Sequence, residues 1–481
     1  MTYLKRFTSF LLCGSLLVML TISASAQIKD ISGDWFGTLD VGAGKLRLQL
    51  HTEKEGTGYK GKLISIDQGN ATLQADTLTY NESTGELRFV LNKLQVVYTG
   101  VWDSNKSAFS GDFYQGKNMK LVLKKENAAS FTAKKIRPQT PQQPYPYDSE
   151  DVTFPNETDH ITLAGTLTKP KSGGPFPVVV LITGSGPQNR NEELMGHEPF
   201  LIWADYLTKQ GIAVLRYDDR GVGKSTGNYA KSGIPDFFRD AQAAVNYLAT
   251  RSDIDPKKIG LMGHSEGGVV APMVAAEDKR VAFVVSLAGV GINGVELMAK
   301  QNYLVWKSNG KTEAEALERE KLMRELFIIA NATPNKNELG KKAKTVLEQL
   351  YATSLSEEEK KKVTPEMFNL QTAMSVSSPS IAAILNIQPE KYLPYIKCPV
   401  LAVNGEKDIQ VQADENLQGF DTQIKKGGNK QITTKKFPGL NHLFQHCTTC
   451  TVAEYAEIDE TVAPAVLQYV GAWMQTQVRK K

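Results

Sequence analysis

The sequence predicts an α/β protein: a mostly parallel sheet flanked by helices, carrying a helical insertion and preceded by a small all-β domain. Three observations predict it. Short alternating strands fill residues 31–125, and continuous apolar runs alternate with helical periodicity from about residue 178. A charged, helical stretch between residues 292 and about 395 then interrupts that alternation.

The first 26 residues stand apart from the fold. Lys5 and Arg6 open the chain, residues 11–21 are apolar, and Ala24-Ser25-Ala26 precedes Gln27, the order of a secretory signal peptide. The apolar core is shorter than the roughly 20 residues a spanning helix needs. A lipid-anchored reading of Cys13 fails because Leu12 stands where a small residue is required and the apolar run continues beyond it. The expectation is export to the periplasm or beyond, without stable membrane insertion once the signal is removed.

Residues 27–136 read as a small antiparallel barrel or sandwich. In residues 45–51, Leu46, Leu48 and Leu50 share one face while Arg47, Gln49 and His51 share the other. Further strands are expected at 61–66, 72–80, 86–91, 95–102, 108–114 and 119–123, with Asn81-Glu82-Ser83-Thr84-Gly85 as a turn. No chemistry is visible there, so the domain reads as a stabilising or oligomerising module, and homo-oligomerisation stays open. Residues 137–150 hold Pro138, Pro141, Pro144 and Pro146 and read as a semi-rigid spacer between domains.

Residues 151–481 form the second domain. Val178-Val179-Val180-Leu181-Ile182 is the apolar run of a strand buried on both faces. Helices are expected at 200–209, 237–248, 267–276 and 463–477, and strands at 212–215, 258–262, 281–287, 399–403 and 431–437. The insertion at about 292–395 is a candidate cap over whatever site the sheet carries.

Composition limits the function classes. The 481 residues are 41% hydrophobic and 22% charged with a net charge of +4, which suits two or three globular domains. No basic block is interleaved with aromatics, so nucleic acid is not an expected partner. Beyond the signal segment there are three cysteines. Cys447 and Cys450 can close a short disulfide in an oxidising compartment, while Cys398 is expected as a free buried thiol. A single C-x-x-C without a second pair is a poor zinc site, and no metal or organic cofactor is called for.

Gly263-His264-Ser265-Glu266-Gly267 carries the strongest chemical signal, a G-x-S-x-G pattern between an expected strand and an expected helix. The chain must turn sharply there to lift the Ser265 hydroxyl above the sheet edge. A serine hydroxyl needs a base oriented by an acid, in the chain order Ser, Asp or Glu, His. Of six histidines, His442 and His446 lie beyond the later strands, and His442 follows the strand end and Pro438-Gly439. Asp408 lies just past the strand ending near Val403, where active-site residues of open α/β sheets collect; Glu406 and Asp414 are the alternatives. Two amides should hold a developing oxyanion. One is that of Glu266, after the nucleophile, and the other belongs to Ser185 in Thr183-Gly184-Ser185-Gly186-Pro187, with Gly184 and Gly186 as neighbours.

One pattern misleads. Gly221-Val222-Gly223-Lys224-Ser225 looks like the end of a phosphate-binding loop, but Asp218 stands where the first glycine is required. Residues 216–221 read instead as a charged turn bracing the loop near Ser265.

On these motifs, in this order, the chain resembles the α/β-hydrolase superfamily over about residues 151–481. The Gly-Ser-Gly-Pro loop, the His-Ser-Glu-Gly-Gly turn and a β-domain opening with Gly33-Asp34-Trp35 are similar to a group of bacterial serine esterases. Those are related to dienelactone hydrolases and to prolyl-oligopeptidase-type catalytic domains. The resemblance implies Ser265, Asp408 and His442 as a triad acting on a small-molecule ester through an acyl-enzyme. A serine peptidase of prolyl-oligopeptidase type is the alternative enzyme, and a non-catalytic periplasmic binding protein is the alternative of another class.

Overall fold

The computed structural model describes residues 28–479 except 29, 42–44, 69, 116–117, 133–135, 334 and 362. The expected signal segment lies outside the described residues.

The first domain is a nine-stranded antiparallel sheet made of β1 (Gly33–Asp40), β2 (Lys45–Glu55), β3 (Gly58–Ser65), β4 (Ala71–Gln74), β5 (Thr77–Asn81), β6 (Glu86–Leu91), β7 (Val96–Asp103), β8 (Ala108–Gln115) and β9 (Asn118–Lys124). Its order is β4-β3-β2-β1-β9-β8-β7-β6-β5. A single sheet curls about one core of Trp35, Leu50, Phe89, Tyr98, Phe109 and Leu121, which favours a barrel over a sandwich. The polar tips of the large side chains are paired inside it: Trp35 Nε1 donates to the Ile31 carbonyl at 2.7 Å and Tyr98 Oη to that of Phe109 at 3.2 Å. The run at 72–80, expected as one strand, is two. Ala75 donates back to Gly61 and Asp76 donates to Val90, so the chain changes partner from β3 to β6 and turns a corner.

The proline-rich segment is packed down rather than free. Arg137, 1% exposed, donates to the carbonyls of Met195 at 2.6 Å, Ile458 at 2.7 Å and Ala456 at 2.9 Å. Gln139 accepts from the Thr461 and Val462 amides. The spacer reading is thereby corrected: prolines stiffen this backbone, but two long polar side chains tie it to the second domain. A direct bond also joins the domains, since the Met195 amide donates to the Asp67 carbonyl at 2.7 Å.

The second domain is built on β10 (Asp148–Asn156), β11 (Ile161–Lys169), β12 (Phe176–Ile182), β13 (Ala213–Tyr217), β14 (Ile254–His264), β15 (Val281–Leu287), β16 (Val400–Gly405) and β17 (Ile432–Phe437). The sheet order is β10-β11-β13-β12-β14-β15-β16-β17. β10 and β11 are antiparallel to their neighbours and the others run parallel. The β10–β11 hairpin was not foreseen. It starts at Asp148, inside the segment whose prolines suggested a spacer, and Pro155 is tolerated because β10 lies on the sheet edge.

Both faces of the sheet are covered. Val178, Val180 and Ile182 of β12 pack with helices Ile234–Ala249 and Gly267–Glu277, while Val179 and Leu181 pack with Pro199–Lys209 and Pro464–Val478. That alternation explains the unbroken apolar run. Between β15 and β16 a set of helices, including Gly294–Ser308, Glu313–Asn331 and Lys344–Ser354, encloses its own core around Leu326, Phe327, Leu347 and Leu350. Gln301, on the first of these helices, donates to the Gln410 carbonyl at 3.3 Å, which brings the insertion against the loop that follows β16.

Candidate active site

Ser265 occupies the turn between β14 and the helix Gly267–Glu277, with φ at +52°. A non-glycine residue in that left-handed region is uncommon and is held here by its surroundings. The turn closes so tightly that a Cβ at Gly263 would lie 1.8 Å from the Gly267 carbonyl oxygen, and one at Gly267 would lie 2.1 Å from that of Ile182. The two glycines of the motif are therefore steric requirements of the turn.

Asp408 sits three residues beyond β16 and His442 five residues beyond β17, so both loops leave the carboxyl edge of the sheet near the end of β14. His442 Nδ1 donates to Asp408 Oδ2 at 2.7 Å. The other carboxylate oxygen accepts the amides of Gln410 at 2.8 Å and Val411 at 2.9 Å. Asp408 is thus fixed as an acceptor, which places a His442 ring proton on Nδ1. The side chain of Asp408 is fully buried and that of His442 is 6% exposed. Asn441 shapes the loop, since its Oδ1 accepts the amides of Leu443 and Gln445.

The alternatives weighed from sequence are engaged elsewhere. His446 is exposed and pairs with Glu460 at 2.8 Å. Glu406 accepts the Gly439 amide, and Asp414 pairs with Lys436 at 2.7 Å on the surface. In the loop after β12, the Gly184 amide donates to Glu192 Oε1 at 2.7 Å and that of Gly186 to the Tyr229 hydroxyl at 2.7 Å. Of these three, only the Ser185 amide has no partner among the described residues. Ser185 also neighbours Glu266, whose carboxyl is pushed up to about 7 by burial against the opposing pull of the Ser185 hydroxyl.

The charged turn after β13 braces this loop. Asp219 accepts from the Thr183 hydroxyl at 2.6 Å and the Gln188 amide at 2.8 Å. Arg190 forks onto both oxygens of Asp218 at 3.0 and 2.8 Å. The phosphate-loop look-alike is closed from within, because Asp218 Oδ2 accepts the Lys224 amide at 3.2 Å. Burial raises the Asp219 carboxyl far above the ordinary carboxylate range.

Sequence reasoning missed two buried groups beside His442 and Ser265, namely Glu192 and His264. His264 Nδ1 meets Glu192 Oε1 at 2.9 Å and its Nε2 donates to the His442 carbonyl at 3.1 Å. Its ring centroid lies 4.9 Å from that of His442. The only sequence signal was an acidic residue soon after the Gly-Ser-Gly-Pro loop, which no periodicity marks. Cys447 and Cys450 form a disulfide just after the His442 loop, and Cys398 is free, with its thiol raised to about 12 by burial. Among the described residues no group of three or more His, Cys, Asp or Glu side chains could hold a metal ion, and no helix is long and apolar enough to cross a membrane.

Known proteins resemble this chain in parts. Esterase EstD of Thermotoga maritima is 32% identical over 136 residues, covering 28% of this chain and 31% of its own. Polyketide transferase claH of Penicillium crustosum is 25% identical over 282 residues, covering 55% and 82%. The chain spans less than half the length of the first curated relatives it matches. Among solved structures, the Pyrococcus furiosus esterase Pf2001 covers 69% of this chain and 93% of its own at 19% identity, with a TM-score of 0.41. Est1E of Butyrivibrio proteoclasticus, solved with ferulic acid, covers 68% and 100% at 18% identity, with a TM-score of 0.40. A family model described as X-Pro dipeptidyl-peptidase (S15 family) matches residues 159–438, more than half of the chain, taking in Ser265 and Asp408 and ending just before His442. The chain therefore belongs to the X-Pro dipeptidyl-peptidase (S15) family.

Proposed function

We propose that this protein is a serine carboxylic-ester hydrolase in which Ser265, His442 and Asp408 act as nucleophile, base and orienting acid. The buried hydrogen bond of 2.7 Å between His442 and Asp408, on adjacent loops beside the Ser265 turn, carries this reading. In the proposed reaction His442 Nε2 takes the Ser265 proton as the hydroxyl attacks the ester carbonyl. The amides of Glu266 and Ser185 hold the tetrahedral oxyanion, and the protonated imidazole then gives its proton to the leaving alcohol. Water, activated by His442, cleaves the acyl-enzyme and restores Ser265. The disulfide after the His442 loop supports placing the protein in an oxidising compartment, the periplasm or beyond.

Ser265→Ala is expected to lower kcat on a short nitrophenyl ester by roughly 10⁴-fold or more and to abolish labelling by a fluorophosphonate probe. A variant that kept most of its activity would remove the proposal, and an unlabelled native protein would favour a binding protein. The family description supports a second reading, a peptidase. Turnover of aminoacyl-nitroanilides measured beside that of nitrophenyl esters distinguishes the two, with the esters expected to be preferred.

A further inference from the structure

Between the three active-site loops lies a buried pair that the triad chemistry does not use. The Glu192 and His264 side chains are 7% and 9% exposed. One carboxylate oxygen of Glu192 meets both the Gly184 amide, at 2.7 Å, and His264 Nδ1, at 2.9 Å. Across the ring, His264 Nε2 reaches the His442 carbonyl at 3.1 Å. Four contiguous groups thus connect the loop of Ser185, the turn of Ser265 and the loop of His442.

The hydrogen bonds restrict the protonation state. A main-chain carbonyl only accepts, so His264 Nε2 carries a proton. Nδ1 faces a carboxylate oxygen that already takes an amide proton, and a second proton on the ring satisfies that contact. An imidazolium results. The charged and titratable groups facing it are Glu192, Asp408 and the His442 ring. Burial disfavours this cation, but the Glu192 charge and hydrogen bond outweigh burial, with help from the His442 carbonyl and from Asp408, and the ring is held above its ordinary range.

Glu192 is itself held in an uncommon backbone conformation, with φ at +52°. Its segment is pinned at both flanks. The Glu192 amide donates to Asn189 at 2.8 Å, and Met195 is held by the Asp67 carbonyl on one side and by Arg137 on the other. An apolar side chain at this position would leave the Gly184 amide and the His264 ring without their acceptor.

We propose that Glu192 and His264 are positioning residues of the hydrolase centre: a buried carboxylate–imidazolium pair that holds the oxyanion loop, the nucleophile turn and the loop of the catalytic base in register. The proposal rests on the triad reading above, and the tests separate the two. Positioning to a fraction of an ångström controls turnover more than ground-state binding.

Two substitutions cut the chain of contacts at different links. Glu192→Gln removes the carboxylate that supports the cation. His264→Asn leaves an amide near Glu192 but too short to reach the His442 carbonyl. Each is expected to lower kcat by roughly 10- to 100-fold with KM within about twofold. His264→Gln, whose amide sits nearer the Nε2 position, is expected to recover part of the loss. In the Glu192→Gln/His264→Asn double variant the losses should not multiply, as befits one unit.

Histidine selectively labelled with ¹⁵N in the native protein gives a readout that needs no variant of the pair. Of the six rings, those of His264 and of half-buried His51, which pairs with Asp34 at 2.7 Å, should keep their second proton to higher pH than a free imidazole does, and a His51→Gln protein isolates the His264 signal. Glu192→Gln should convert that signal to a neutral ring. Two results overturn the proposal: single variants with kcat within twofold of native, or no ring other than that of His51 that keeps its second proton above the pH at which a free imidazole loses it. If Ser265→Ala is fully active, the triad reading fails instead, and the histidine spectrum still reports on the pair.

Discussion

Glu266 has two roles that pull in opposite directions. Its amide is one proposed donor to the oxyanion, while its carboxyl lies in the wall of a small cavity with Asp219 and Tyr229 and is raised to about 7 by burial. Below that pH the carboxyl is neutral and the oxyanion meets only dipoles. Above it an anion faces a developing anion in a poorly solvated site. The kcat/KM on a neutral ester is therefore expected to decline as pH rises through about 7, by about tenfold or more, and Glu266→Gln should flatten that decline. Stability has the same sign. A carboxyl whose folded value is raised contributes stability that is fully present below its ordinary value of 4.5 and is lost as pH rises through about 7. pH–rate profiles of native and variant protein check the first claim and denaturant midpoints check the second. At this scale the pairing of His442 with Asp408 was legible because strand ends, chain order and the scarcity of histidines leave few candidates. Glu192 and His264 were not legible, since the two are 72 residues apart in sequence and their contact exists only in the folded chain.

Among the elements, the segment after the barrel behaves unlike its composition. Proline content describes a backbone, and the contribution of this segment comes from side chains. Arg137 is a buried cation whose carboxylate contact, Asp459 at 3.5 Å, is largely exposed, so three main-chain carbonyls do most of the neutralising. Arg137→Ala leaves those carbonyls unpaired and is expected to cost roughly 3 kcal/mol or more, read as a lower urea midpoint at unchanged m-value. The strands were readable wherever alternation or an unbroken apolar run marks burial. The corner at residues 75–76 was not, because a change of strand partner leaves no trace in hydropathy. The β10–β11 hairpin was hidden by the prolines before it.

For the molecule as a whole, the two domains are joined by the Arg137 and Gln139 contacts and by the bond from Met195 to Asp67. Exposed, unpaired segments of small and polar residues are ordinarily sites of early nicking. Here, brief digestion with proteinase K is expected to leave residues 137–147 uncut while the second domain stays folded, with both domains retained in one fragment by mass spectrometry. Early release of the barrel would contradict that. The sequence indicated two domains and an insertion, but not that the domains share hydrogen bonds, because a carbonyl acceptor such as that of Asp67 has no signature in residue type.

The bond between Met195 and Asp67 has a practical consequence. The barrel's loop rests on the same short stretch that presents Glu192 inward, so the amino-terminal module is a foundation stone rather than an ornament. Anyone grafting the catalytic half into a chimera would have to transplant that loop with it, or rebuild its carbonyl from another scaffold.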